Sequence, residues 1–471
     1  MRFLFLILCS AILTGCAVGP DYERPSTAAE TPNRFGEAPT SPVAVDLERW
    51  WLAFEDPRLA SLVDEALDGN PDLDAAVARV EAARAGLTAA RAGFLPQVGL
   101  TGAAETRQGS AETDQGRIAQ QFGGAGALQD DRFFSALSAS WELDLFGGTR
   151  RERQAALTRL DRAEAGAAAA QTLIAAETAR LWFGLQSLAD QHAQARAALQ
   201  AEQARRDRVV IREEAGLVDP GTEDRIEAAV RRLAAQERQL AAAYRENAYS
   251  LARVLGRGPD RAAAWLESPP TGIDARLPGL PETVPARLLD QRPDLRAAEA
   301  ALRQAVAEQG VARAAFYPSI RLTGGYGFES TDDDTLLTDA AELWSFGPEL
   351  RLPVFQGGRL QAGKRASDAR AAEAGARFES AVLQALQEAE SAFAGSRLSA
   401  EALTDLEAAE QRLERNLERQ HARLDAGLAA PGEVFAVEAE LARFRQELAR
   451  AREAARLARV RLYTTLGGGW S

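Results

Sequence analysis

Hydrophobic positions along this chain follow two periods. In two long stretches without proline, about 149–215 and 359–426, and in the shorter stretches after them, 221–255 and 432–466, apolar residues alternate spacings of three and four. One seam runs through Ile174, Leu181, Leu185, Leu188, Ala195 and Leu199. A second holds Ile226, Val230, Leu233, Leu240, Tyr244, Leu251 and Val254, and a third Val437, Leu441, Phe444, Leu448, Ala451 and Leu462. Heptad spacing predicts helices in left-handed coiled packing. At about 1.5 Å per residue, each long stretch reaches on the order of 100 Å, far beyond an ordinary globular helix.

The other period is two. In 133–145, Phe133, Leu137, Ala139, Trp141, Leu143 and Leu145 share one face, and Ser138, Ser140, Glu142 and Asp144 the other. In 319–328, Ile320, Leu322, Gly324, Tyr326 and Phe328 oppose Ser319, Arg321, Thr323 and Gly327. In 344–352, Trp344, Phe346, Leu350 and Leu352 oppose Ser345, Glu349 and Arg351, and a weaker fourth strand carries Val98, Leu100 and Ala104. Strands of roughly ten residues, apolar on one face and polar on the other, fit a transmembrane β-barrel around a wet lumen. A soluble sandwich sheet shows the same alternation. Four strands cannot close a barrel, which needs about eight, so a barrel here is shared between chains. Alternation alone leaves two, three or four chains open.

The chain is duplicated. Gly216-Leu217-Val218-Asp219-Pro220-Gly221 returns as Gly427-Leu428-Ala429-Ala430-Pro431-Gly432, and Pro71-Asp72-Leu73 returns as Pro293-Asp294-Leu295. Such repeats define the plan. The first repeat occupies 46–255, with a helix from Asn70-Pro71, strands at about 96–105 and 133–146, a long helix 149–215 and a return helix 221–255. The second occupies 291–471, with helix 293–315, strands at about 318–328 and 344–355, long helix 359–426 and return helix 432–466. The short helices 71–93 and 293–315 are placed to stack end to end on the return helices. Gly147-Gly148 and Gly357-Gly358 suit sharp strand-to-helix junctions. The proline-rich 256–290 reads as a connector with little regular structure. Each strand pair is joined by a polar insert, 106–131 and 329–343. The run Asp332-Asp333-Asp334 reads as a solvated surface loop rather than a cation site.

Residues 1–15 read as a signal peptide, with Arg2 before an apolar run from Phe3 to Leu13. The segment Leu13-Thr14-Gly15-Cys16 resembles a bacterial lipobox, which implies cleavage before Cys16 and covalent lipid on it. Cys9 would leave with the signal, so no disulfide is expected. Residues 16–45, rich in Pro, Thr, Ala and Ser, read as a lipid-anchored tether. The net charge of −13 argues against nucleic acid. No later run of about 18 apolar residues offers a transmembrane helix.

Together these residues resemble the TolC-like outer membrane factor family, in its NodT/OprM-type branch of efflux lipoproteins. The resemblance rests on the lipobox; Trp51 with Asp56-Pro57; Asn70-Pro71-Asp72-Leu73; Arg292-Pro293-Asp294-Leu295-Arg296; Phe316-Tyr317-Pro318-Ser319-Ile320; and the ending Leu466-Gly467-Gly468-Gly469-Trp470. It implies a mixed α and β membrane protein: a homotrimer with a long α-helical coiled-coil barrel and a transmembrane β-barrel of four strands per chain. It implies a passive export duct in the outer membrane, fed by a periplasmic membrane fusion adaptor and a proton-driven, RND-type inner-membrane transporter. A lipid-anchored periplasmic coiled coil without a pore, or a duct for type I protein secretion, are the alternatives.

The duplicated turns are the candidate gate and docking points, since they lie at hairpin tips away from the strands. The resemblance implies an acidic ring on the second return helix. The usual acid is Ala436 here, and Glu433, one turn earlier, is the nearest substitute; it is equally a plain helix-start acid. Phe435 is a candidate apolar constriction, and Asp219 and Asp224 are candidate polar links. Gly216, Leu217, Gly427 and Leu428 are candidate adaptor contacts, beside their local role as helix stops. Catalysis finds no motif. His192 and His421 are the two histidines, both within long helices, where an interhelical bond suits His192. No metal-ligand spacing or cofactor motif appears.

Overall fold

A computed structural model of the chain describes residues 17–25, 35–38, 43–123, 128–217, 219, 221–270, 277–281 and 290–470. In chain order its main elements are α1 (Pro57–Gly69), α2 (Pro71–Ala92), β1 (Gln97–Gln108), α3 (Asp114–Gly123), β2 (Gln129–Leu143), α4 (Gly148–Glu214), α5 (Thr222–Val254), α6 (Ala263–Glu267), α7 (Pro293–Ala314), β3 (Ser319–Ser330), β4 (Glu342–Arg351), α8 (Arg359–Asp425) and α9 (Pro431–Thr465). The chain forms two compact units. One draws on Met1–Arg24, Glu81–Arg162 and Glu299–Arg377, the other on Pro25–Val80, Ala163–Ala298 and Phe378–Ser471.

In the first unit the strands form one antiparallel sheet in the order β1-β2-β3-β4. Register puts like faces together. Trp141 lies opposite Leu322, Leu143 opposite Ile320 and Leu137 opposite Tyr326; Leu100 faces Leu137, and Leu350 and Trp344 face Ile320 and Tyr326. The apolar face is uncovered: Leu100, Trp344 and Phe346 are each about three-quarters exposed. The other face pairs charges across strands. Arg132 holds Glu329 with two bonds of 2.8 and 3.1 Å, and Arg321 donates to Glu142 at 3.0 Å. The weak first strand is a full partner of twelve residues, because cross-strand pairing, which no single strand's pattern reports, supplies its order. The first insert, expected as polar loop, contains α3.

At the first junction Gly147 takes a left-handed φ of 80°. Asp144 caps α4 by accepting the Thr149 and Arg150 N–H groups at 3.0 and 2.9 Å. Within the expected tether, residues 17–25 are docked on the body. Val18 N–H donates to the Phe146 carbonyl at 3.1 Å. Arg151 pairs with Asp21 at 2.9 Å, and Gly19 lies so close to Gly310 that a Cβ on it would stand 2.6 Å from the Gly310 Cα. Glu299 accepts from Tyr22 at 3.0 Å and from Arg24 at 3.1 Å. Burial and the Glu299 carboxylate push the Tyr22 phenol well up. A low-complexity composition reads as flexible, but paired small residues and complementary charges bind it down. Cys16 itself lies outside the described residues.

The second unit is built on aromatic packing. Trp50, Trp51, Trp182, Phe183, Leu185, Leu251 and Tyr463 are buried in one cluster. Asp56 caps α1 through the Arg58 and Leu59 N–H groups and also accepts from the Trp182 indole at 2.7 Å. Asn70 caps the helix expected from Asn70-Pro71: its Oδ1 accepts the Asp72 N–H at 2.8 Å, while its Nδ2 donates to the Val254 carbonyl at 2.8 Å. The end of α5 therefore abuts the start of α2. In the second repeat Arg292 does the same work, donating to the Thr465 carbonyl at 3.1 Å, to Asp294 at 2.7 Å and to Glu388 at 2.8 Å. Burial opposes charge on Asp294, but the bonds from Arg292 win and hold its carboxyl below the usual range.

The closing glycines have a steric cause. Gly469 N–H donates to the Leu47 carbonyl at 2.9 Å. A Cβ on Gly468 would lie 2.5 Å from that carbonyl oxygen, and one on Gly469 2.9 Å from the Trp50 indole nitrogen. Trp470 donates to the Gln291 carbonyl at 3.0 Å and lies under the Arg296 guanidinium at 4.8 Å. The connector is more regular than its prolines suggested: it holds α6, whose Trp265 is buried and accepts the Tyr244 hydroxyl on its carbonyl at 2.6 Å.

Candidate functional site at the hairpin turns

Both long helices end the same way. Gly216 and Gly427 adopt φ of 68° and 70°. Each closes the paired bonds of a Schellman stop. Leu217 N–H reaches the Arg212 carbonyl at 2.8 Å and Gly216 N–H that of Glu213 at 2.9 Å; Leu428 reaches Arg423 at 2.8 Å and Gly427 reaches Leu424 at 2.9 Å. The helix-stop role of both glycines is thus real. The leucines that follow are not buried by it: Leu217 is 67% and Leu428 70% exposed. Two apolar side chains on glycine-flanked turns leave a surface that another backbone can approach.

Beyond the stops the two turns differ. In the first, Thr222 donates its N–H and hydroxyl to the Asp219 carbonyl at 3.2 and 2.7 Å. Glu213, from the end of α4, accepts the Glu223 N–H at 3.2 Å and so caps α5 from across the hairpin. The Asp219 and Asp224 side chains are exposed. In the second turn Pro431 opens α9, and Glu433 reaches back to the Ala430 N–H at 3.2 Å. Ala430 has no side-chain acceptor to return the bond, so this is half a capping box. Glu433 is an exposed helix-start acid with a capping bond. Phe435 is half-buried, and the Arg208 guanidinium of α4 lies 5.1 Å from its ring centroid. Arg208 carried no sequence signal, because it enters the site only when α4 packs beside α9.

The histidines clamp the hairpins. His192 and Glu237 share a hydrogen bond of 2.8 Å between α4 and α5, and His421 lies 3.5 Å from Glu438 between α8 and α9. The second hairpin is further tied by Arg445 to Glu410 and Glu414 at 3.0 and 2.6 Å. Between the hairpins runs a buried polar layer, in which Gln236 donates to Gln446 at 2.8 Å and Ser187 to the Ala449 carbonyl at 3.2 Å. Arg456 lies in it over the Phe183 ring, and burial pushes its guanidinium down to about 10. Asp332, Asp333 and Asp334 are exposed on a short turn that Asp332 caps.

The same architecture occurs in known proteins. The family model for outer membrane efflux proteins matches residues 62–257 and 284–468. The chain is 29% identical over 470 residues to the outer membrane protein OprJ of Pseudomonas aeruginosa, covering 98% of this chain and 95% of that one. It is 30% identical over 486 residues to the cation efflux system protein CusC of Escherichia coli, covering 99% and 98%. Among solved structures it is similar to the outer-membrane channel OprN, with a TM-score of 0.83 and 28% identity over 97% of this chain and all of that one. The CmeC outer membrane channel of Campylobacter jejuni shares the fold, with a TM-score of 0.85 at 21% identity over 97% of this chain and 96% of that one. The two long helices, the four-stranded sheet and the duplicated turns are thus the parts of a known channel architecture, and the chain belongs to the outer membrane efflux protein family.

Proposed function

We propose that three copies of this outer membrane efflux channel close one duct, with twelve strands in the membrane, and that the duct passively exports small molecules. The observation that carries this reading is the sheet. Among the described residues it has an uncovered apolar face, a charged opposite face and two unpaired edges, and a four-stranded sheet exposed in this way needs lipid and further strands to be stable. The polar face then lines the lumen. CusC and TtgC are each named for a role in efflux, which supports the same work here, with a periplasmic adaptor and an RND-type inner-membrane transporter as partners. In this reading the chain performs no catalysis and needs no cofactor. The mature N-terminus is lipidated at Cys16.

At the turns, exposed Leu217 and Leu428 with their glycines serve as adaptor contacts. Glu433 and Phe435 form the constriction, with Asp219 and Asp224 as polar links around it. Three Glu433 carboxylates near one axis would attract cations. The purified protein in planar bilayers tests the duct: ion conductance from a trimer is expected, and a closed, non-conducting dimer would overturn it. Glu433→Ala is expected to change cation block; an unchanged blocking profile reduces Glu433 to its capping bond. Cys16→Ser is expected to abolish labelling by radioactive palmitate, and persistent labelling would refute the lipid site.

A further inference from the structure

An open cavity of about 630 Å³ lies where α4, α7 and α8 come together beside the strand ends. Its apolar lining comes from Ala155 of α4, Val311, Ala312 and Ala315 of α7, and Leu360 of α8. Its cations are Arg159, Arg359, Lys364 and Arg370, against the carboxylates of Glu152 and Glu308. Glu308 pairs with Arg159 at 3.2 Å, and Asp368 holds Lys364 at 2.7 Å. Arg359 donates to the Gln356 amide oxygen, and among the described residues Arg370 makes no hydrogen bond or ion pair. Two guanidinium groups thus enter the bay without an acid of their own. Arg359 and Arg370 are eleven residues apart on α8, so the bay runs about 16 Å along that helix. Between them a Cβ on Gly363 would meet nothing within 4 Å.

The bay opens on the side of the sheet's charged face. On α7, Gly310 lies against Gly19 of the docked N-terminal segment. Glu308 and Ala312, two residues either way, project from the opposite side of the helix. Glu152, Val311, Ala315, Arg359 and Leu360 also line the neighbouring cavity, which reaches Glu142 and Arg321 on the charged face.

We propose that this bay binds amphiphilic organic anions. The apolar body of the ligand lies against the alanine and valine side chains, and its carboxylate or sulfonate pairs with Arg359 or Arg370. A planar guanidinium matches such a group with two parallel bonds. The concave apolar lining beside these arginines distinguishes the bay from a solvated helix face. The proposal rests on the export reading and names a class of cargo for it: three copies would set three such bays around the lumen.

Lys364 is the only lysine in the sequence, and its side chain is 37% exposed, so it reports on the bay. Purified full-length protein is acylated with N-hydroxysulfosuccinimide acetate, and modification of Lys364 is followed by peptide mass spectrometry. Naphthalene-2-sulfonate is expected to slow this acylation about tenfold at ten times its Kd. Uncharged 2-naphthalenemethanol, and sodium sulfate at the same ionic strength, should leave the rate nearly unchanged. Arg359→Gln combined with Arg370→Gln, both at exposed positions, should keep the circular dichroism and lose the protection. Gly363→Phe, which fills the bay without removing a charge, should also lose it. Absence of protection, equal protection by the uncharged compound or by sulfate, or protection that survives in a folded variant overturns the site. Conductance of the same preparations in planar bilayers separates the two readings. A conducting channel with unprotected Lys364 loses the site alone; a protected Lys364 in a protein that never conducts keeps the site and loses the duct.

Discussion

The sheet and the aromatic cluster use the same side chains to opposite ends. In the cluster, Trp50 and Tyr463 are fully buried and Trp182 is 2% exposed, all covered by their own chain. In the sheet, Trp344 is 74% and Phe346 75% exposed. The cluster is complete in one copy, because helix ends, capping groups and glycines close around it. The sheet becomes complete only in lipid and beside other copies. A burial map of one chain therefore distinguishes self-sufficient packing from surface held for another phase.

The comparison can be broken first at Trp182. Trp182→Ala removes a buried ring and its bond to Asp56, and a loss of about 3–5 kcal/mol is expected in denaturant unfolding followed by circular dichroism. Phe346→Ala should leave the same curve within about 0.5 kcal/mol; an equal loss would show that the sheet has a core of its own. Next comes Phe346→Arg, which sets a charge on the apolar face. A penalty of about 2–4 kcal/mol is expected in the membrane, read as less protein in the outer membrane fraction while the soluble-phase helical signal persists. Gly468→Ala would press a methyl on the Leu47 carbonyl and is expected to cost about 1–3 kcal/mol, seen as a lower melting temperature.

The smallest effect is a pH dependence at Asp294. Arg292 lowers its carboxyl, so its contribution is fully present above the ordinary carboxylate value of about 3.9 and fades as pH falls through the lower folded value. Its side chain is 55% exposed, so solvent screens most of the effect. Asp294→Asn should unfold more readily than the parent at neutral pH, with the gap closing in acid. A gap independent of pH would place the contribution in packing.

Much of this was legible from residue order. Heptad seams marked the long helices, and no residue of the three seams is exposed. Alternation marked the strands, and the observed register sets like faces together. Asn70-Pro71 announced the start of a helix, and α2 begins there. The candidate site was legible in part. Gly216 and Gly427 are the helix stops their sequence suggested, and Glu433 makes the bond of a helix-start acid. Arg208 over Phe435 and Glu213 capping α5 were not legible, because each joins residues from different helices. The docked N-terminal segment was hidden for the same reason: Gly19 and Gly310 look like loose composition until they meet.

Read alone, the chain settles where the long helices, their return helices and the short helices before the strands run, which face of each strand is apolar, and where the repeats turn, but not α1, α3 or α6. These properties depend on neighbours within a few positions, through backbone sterics and side-chain periodicity. Only the folded chain shows which apolar faces are closed and which stay open. Closure depends on distant segments such as Leu47, Gln291 and Gly468 arriving at one place, and no local pattern encodes that arrival.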